Sequence, residues 1–318
     1  MTITHRRVET NGVTLHLAEA GEGPLVVLLH GFPESWYSYR HQLEALAAAG
    51  YHAVAPDQRG YGQSSAPHEI DQYAMPRLVG DVVGMIDALG ETRCAVVGHD
   101  WGSPVASTLG LFRPDLVRGV ALLSVPYTPR GEQDMLSGLT QRLGPDNYQA
   151  FFQEPGVAEA ALGADVRATM LRMLVGLSGD AAAVATGSGA DVNQPADATE
   201  TNLPSWLSEA DVDFFTAEFE RSGFRGPLNW YRNSVLNWEM TAAWHNVPLR
   251  LPSLYVGGDR DLVLNWPGFA ELVAALGATT MPGLTRAVVL EGCGHWTQQE
   301  RPEDVNALLL EFLRALGD

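Results

Sequence analysis

Short apolar runs alternate along this chain with stretches whose apolar positions recur at helical spacing. Leu25–Leu29, His52–Ala55, Cys94–Val97 and Val120–Leu123 are runs of four or five residues without polar alternation. Runs of that kind are expected of parallel strands covered on both faces. Between them the spacing predicts helices over Leu43–Ala49, closed by Gly50, over Leu78–Leu89, closed by Gly90, and over Ser103–Phe112. Ahead of them, Arg6–Thr10 and Leu15–Glu19 flank Asn11-Gly12, a pair suited to a tight hairpin turn. The rhythm returns with a strand at Leu254–Val256, a helix around Phe269–Leu276, a strand at Ala287–Leu290 and a last helix over Glu303–Leu316. Such alternation predicts an α/β protein with a mostly parallel, eight-stranded sheet and helices on both faces.

From about Pro129 to His245 the rhythm breaks. This stretch leans to helix, is rich in aromatics, and contains a Gly-, Ala-, Asp- and Thr-dominated segment from Ser178 to Asn202. A complete sheet needs strands from both sides of it, so it reads as a helical cap inserted between two core strands rather than as a linker between domains. The expected division is a first core part at 1–128, a cap at 129–245 with a long loop at 178–202, and a second core part at 246–318.

Composition narrows the chemistry mainly by exclusion. A net charge of −18 over 318 residues would repel nucleic acid and anionic lipid surfaces, so neither is an expected partner. The two cysteines, Cys94 and Cys293, build no disulfide framework, and no Cys/His cluster has metal spacing. No strand is followed by a Gly-x-Gly-x-x-Gly loop, so neither a dinucleotide cofactor nor a metal is expected. Met1–Glu9 lacks a secretory apolar segment and no run of eighteen apolar residues exists, which gives the expectation of a cytoplasmic protein. The reading admits a homo-oligomer.

The chemistry begins at Gly98-His99-Asp100-Trp101-Gly102, between the run Cys94–Val97 and the helix from Ser103. Strand, tight turn and helix form the setting of a nucleophile elbow, with small residues letting the middle side chain rise above the sheet. Here the middle residue is Asp100, which is already an anion at neutral pH and faces a helix N-terminus. Attack by a carboxylate on an ester or amide would give a reactive anhydride. Displacement at a saturated carbon gives a stable alkyl ester instead, as in epoxide opening or carbon–halogen cleavage.

Two further strand ends supply partners. Leu254–Val256 leads into Gly257-Gly258-Asp259-Arg260-Asp261, and the next strand into Gly292-Cys293-Gly294-His295-Trp296. The order nucleophile, acid, histidine matches the α/β-hydrolase arrangement. His295 would activate water against the ester, and Asp261 would hold its tautomer, with Asp259 the competing acid that spacing from Gly258 disfavours. His99 reads as a packing residue, and His30 as structural. After the strand Leu25–Leu29, the turn His30-Gly31-Phe32-Pro33 can aim the Phe32 N–H into the site, forming an oxyanion hole with the Trp101 N–H.

These motifs, together with Gly60-Tyr61-Gly62-Gln63-Ser64-Ser65, Phe152-Gln153-Glu154-Pro155-Gly156 and Asn229-Trp230-Tyr231-Arg232-Asn233, resemble the α/β-hydrolase-fold epoxide hydrolases, the soluble type of animals and its bacterial relatives. The resemblance runs from about Val8 to Leu313. It implies a cis Phe32–Pro33 peptide, and it assigns two cap tyrosines, Tyr148 and Tyr231, as proton donors to the opening epoxide. A phenol of pKa ~10 is acidic enough to protonate an alkoxide. Two departures accompany it: no room for the N-terminal phosphatase domain of the animal enzyme, and no peroxisomal address at the C-terminus.

The expected activity is therefore hydrolysis of an apolar epoxide with water to a vicinal diol, through an ester on Asp100, in a pocket lined by Pro33, Trp36, Phe152, Trp230 and Trp296. A haloalkane dehalogenase shares the Asp nucleophile and the following Trp, but it would need halide donors where this chain has Phe32, and it has no use for the tyrosine pair. A non-catalytic receptor on the same fold would not need Asp100, Asp261, His295 and both tyrosines together.

Overall fold

The computed structural model describes residues 2–181 and 203–317. Eight strands form one sheet: β1 (Thr4–Thr10), β2 (Val13–Ala20), β3 (Leu25–Leu29), β4 (His52–Pro56), β5 (Cys94–His99), β6 (Val117–Leu123), β7 (Ser253–Gly258) and β8 (Leu284–Leu290). They lie in the order β1-β2-β4-β3-β5-β6-β7-β8. β2 pairs antiparallel with both of its neighbours, and every pairing from β4 to β8 is parallel. The β1–β2 hairpin turns at Asn11 and Gly12, both with positive φ, as a tight two-residue turn demands.

Alternate residues of the central strands feed two apolar clusters. Val27, Leu29, Val54 and Val96 face one side, with α2 (Met75–Ala88) and α3 (Gly102–Phe112); Val26, Leu28, Ala53 and Val97 face the other, with α1 (Arg40–Ala48). Burial on both faces is what forbids polar alternation in these strands and makes them legible as short apolar runs. β5 runs two residues beyond the expected run, because Gly98 and His99 still pair with Leu122 and Leu123. The helices after Tyr73 and after Arg301 also begin earlier than their apolar periodicity suggests, at Met75 and Pro302. Each carries a proline in its first turn, where the missing N–H is no loss.

Between β6 and β7 the chain forms a helical insertion: α4 (Met135–Leu143), α5 (Tyr148–Phe151), α6 (Val157–Gly163), α7 (Val166–Gly176), α8 (Glu209–Ser222), α9 (Arg225–Tyr231) and α10 (Ser234–Met240). Its two connections run side by side: the Asn246 N–H donates to the Arg130 carbonyl at 3.0 Å and the Tyr127 hydroxyl to the Val247 carbonyl at 2.5 Å. Of the loop expected over Ser178–Asn202, residues 182–202 lie outside the described residues. Among the described residues the insertion shows no separate core. Phe152, Met170, Phe215, Phe219 and Trp230 belong to the same apolar cluster as Val27 and Leu29. After β7 come α11 (Phe269–Ala275), β8, the single turn α12 (Thr297–Glu300) and α13 (Pro302–Ala315), which packs with α1.

Candidate active site

Asp100 sits between β5 and α3 with φ 48°, a left-handed conformation that costs an aspartate more than a glycine. Gly98 and Gly102, two residues to either side, are small because the turn is crowded: a Cβ on Gly98 would lie 2.1 Å from the Gly102 carbonyl oxygen. The Phe32 N–H donates to Asp100 Oδ1 at 2.8 Å. Gly31 makes that approach feasible, since a Cβ there would lie 2.3 Å from the same oxygen. The Phe32–Pro33 peptide is cis. Trp101 is the residue before α3, so its N–H is among the free donors of the helix start.

His295 follows β8 and presents Nε2 to Asp100 Oδ2 at 3.6 Å, while Nδ1 lies 3.0 Å from Asp261 Oδ1. Asp261 is fully buried and its Oδ1 also accepts the Val263 N–H at 2.9 Å. Burial alone would raise the Asp261 carboxyl and depress the His295 imidazole. Their mutual attraction, with Asp100 adding to it on the histidine side, reverses both: Asp261 is lowered and His295 is held well above the ordinary imidazole value. Asp259, the competing acid, is exposed and accepts the Gly292 N–H at 2.7 Å.

Tyr148, at the start of α5, and Tyr231, at the end of α9, belong to the insertion and feel the charge of Asp100. Their rings are 6.0 Å apart, each packed against Phe152, and Tyr231 also packs edge-on against Trp101 and Phe32. Burial, then the negative field of Asp100, pushes both phenols above their ordinary value and keeps them protonated. The Gln149 amide donates to the Tyr148 oxygen at 3.0 Å, leaving that hydroxyl's own proton free to point elsewhere. Around them, Phe32 and Phe152 lie 5.7 Å apart and Trp101 and Trp230 5.8 Å apart, with Pro33 and Trp296 buried nearby.

Residues 24–302 match the model of the alpha/beta hydrolase fold family. The chain is 45% identical to epoxide hydrolase A of Mycobacterium tuberculosis, across 98% of each chain, and 41% identical to epoxide hydrolase 1 of Siraitia grosvenorii, again across 98% of each. An epoxide hydrolase structure from an endophytic Streptomyces superposes with a TM-score of 0.91 at 48% identity, covering 99% of this chain and 96% of that one. This chain belongs to the α/β-hydrolase-fold epoxide hydrolases.

One residue expected in the pocket stands elsewhere in this family member. Trp36 packs against His5, Tyr37 and Phe214, in the apolar cluster on the other face of the sheet from Phe32 and Trp101. The Trp36 backbone N–H is held by the buried Asp57 carboxylate at 3.1 Å.

Two polar residues, Ser124 and Glu34, are given no role by the sequence pattern, and a third, His99, reads there as packing. The Ser124 hydroxyl lies 3.1 Å from His295 Nδ1; it directly follows β6, so a survey of strand C-terminal ends would have found it. Glu34 and His99 form a buried pair at 2.7 Å, and His99 Nε2 donates to the His295 carbonyl at 2.7 Å. Glu34 further accepts the Gly31 N–H at 3.0 Å and the amides of Gln298 and Gln299. Its carboxyl is lowered despite a burial penalty, chiefly by the His99 charge. His99 therefore ties the elbow to the histidine loop, a polar role where packing was expected. Among the described residues no group of three or more His, Cys, Asp or Glu converges as a metal site.

Proposed function

We propose that this chain hydrolyses an apolar epoxide to a vicinal diol through an alkyl ester on Asp100. In this reading residues 129–245 act as a cap over a core of 1–128 and 246–318. Asp100 Oδ1 is held by the Phe32 N–H, which leaves Oδ2 as the attacking oxygen. As the C–O bond of the epoxide breaks, Tyr148 and Tyr231 share delivery of one phenolic proton to the emerging alkoxide. His295 then takes a proton from water, which attacks the ester carbonyl; the oxyanion forms on Oδ1, where Phe32 and Trp101 offer their N–H groups. Collapse expels the diol alkoxide, which takes the proton back from His295. The second proton of the water restores the tyrosine.

The observation that carries the reading is the pair of buried tyrosines, 6.0 Å apart, with Tyr231 packed on Phe32 and Trp101 beside the elbow carboxylate. A departing halide needs no proton, so the tyrosines favour epoxide opening over dehalogenation. The test is a single turnover of an aryl epoxide in heavy-oxygen water with enzyme in excess. Unlabelled diol and label on the Asp100 peptide are expected. Labelled diol in that first turnover would mean direct attack by water, and no diol at all would remove the activity.

A further inference from the structure

The backbone that carries His295 is gripped from outside its own loop. Glu300, at the end of α12, accepts the Gly294 N–H on Oε2 at 2.9 Å and the Trp296 N–H on Oε1 at 3.0 Å, so one carboxylate holds the residues on both sides of the histidine. The same Oε2 accepts a third N–H at 2.9 Å, from Gly179, just past the end of α7 in the insertion. That segment returns two more bonds to the histidine loop. The Leu177 carbonyl accepts the His295 N–H at 2.9 Å, and the Leu174 carbonyl accepts the Trp296 indole N–H at 2.9 Å. The Gly179 carbonyl in turn accepts Arg260, the neighbour of Asp261, at 2.7 Å. Burial raises the Glu300 carboxyl, and the three N–H bonds from Gly294, Gly179 and Trp296 oppose that rise by favouring its anion.

We propose that Glu300 is a positioning residue for the hydrolytic half of the reaction, fixing the His295 backbone and fastening it to residues 174–179 of the insertion. The inference rests on the two-step reading above. In that reading Asp100 forms the ester without the imidazole, whereas water attack needs His295 in register; a misplacement of about 1 Å costs on the order of 100-fold. Damage confined to Glu300 should therefore appear in one step only.

The test is transient kinetics and intact-mass spectrometry on Glu300→Gln, whose amide is isosteric but offers a donor to one of the N–H groups. Hydrolysis of the ester should slow by about 100-fold and alkylation by less than about threefold. The ester should accumulate during turnover, kcat and KM should fall together, and kcat/KM should hold. Gly179→Ala strains the seam between the insertion and the histidine loop, because its Cβ would lie 2.3 Å from the Gly292 carbonyl oxygen and 2.7 Å from the Gly294 nitrogen, and a slowing of the same step is expected. Should Glu300→Gln fail to fold, Glu300→Asp keeps the acceptor and carries the same measurement. Equal slowing of both steps, or no change in either, overturns the proposal. His295→Gln separates the two failures: if that variant traps no ester the two-step reading falls, and if it traps ester while the Glu300 variants do not, only the role of Glu300 falls.

Discussion

The two halves of the site are built on different physics. The half borne by the sheet holds charge: Asp100, Asp261 and His295 stand at the ends of β5, β7 and β8, where backbone N–H groups and buried counter-charges fix each of them. The half borne by the insertion holds neutral phenols, seated mainly by aromatic edges from Phe152, Phe32 and Trp101. A buried charge needs a polar scaffold already in place, because leaving it unpaired costs several kcal/mol. A neutral proton donor needs only a dry wall and one open direction. An inserted helical layer can therefore supply the second but would be a costly place for the first.

That contrast can be broken experimentally, the largest effect being on the sheet side. Asp100→Ala should lower turnover by about 10⁴-fold or more and form no covalent adduct by intact mass. Retention of an adduct would move the nucleophile off the sheet. Next comes stability. Glu34→Gln should cost about 3–5 kcal/mol in denaturant unfolding at neutral pH, because it leaves His99 without its buried partner. The sign with pH follows from the lowered Glu34 carboxyl. Its stabilisation is present above the unfolded value of about 4.3 and is lost as pH falls through the lower folded value, so the gap between variant and wild type should narrow in acid. A gap that widened in acid would contradict the pairing. On the insertion side the effects should be smaller and kinetic. Tyr148→Phe and Tyr231→Phe should each slow ester formation by about 100-fold, with melting temperature nearly unchanged, and the pair together should nearly abolish ring opening. A large loss of stability in either would mean the phenol oxygens hold the insertion in place.

The same contrast governs what could be read in the sequence. Strand ends are marked by apolar runs and small residues, so Asp100, Asp261 and His295 could be located by position, and Asp261 preferred to Asp259 by spacing alone. Tyr148 and Tyr231 carry no such mark, since an aromatic on a helix reads equally as packing; only resemblance to a family singled them out. Trp36 shows the opposite error. It lies in the same short motif as Phe32, yet its indole packs against His5, Tyr37 and Phe214 in a different apolar cluster, a choice that no local pattern encodes. Ser124 stands at the end of β6, where strand position could have marked it, whereas Glu34 and Glu300 were hidden because His99 and Gly179, which give them their roles, lie 65 and 121 residues away.

The 3.6 Å approach of His295 to Asp100 has one more consequence, a matter of sequence in time rather than of position. While Asp100 is an anion, its field helps to keep the imidazole protonated and unfit to take a proton from water. Esterification cancels that charge and leaves Asp261 alone to hold the proton, so the imidazole becomes more willing to release it. On the proposed route the base is thus armed by the very event that creates its task.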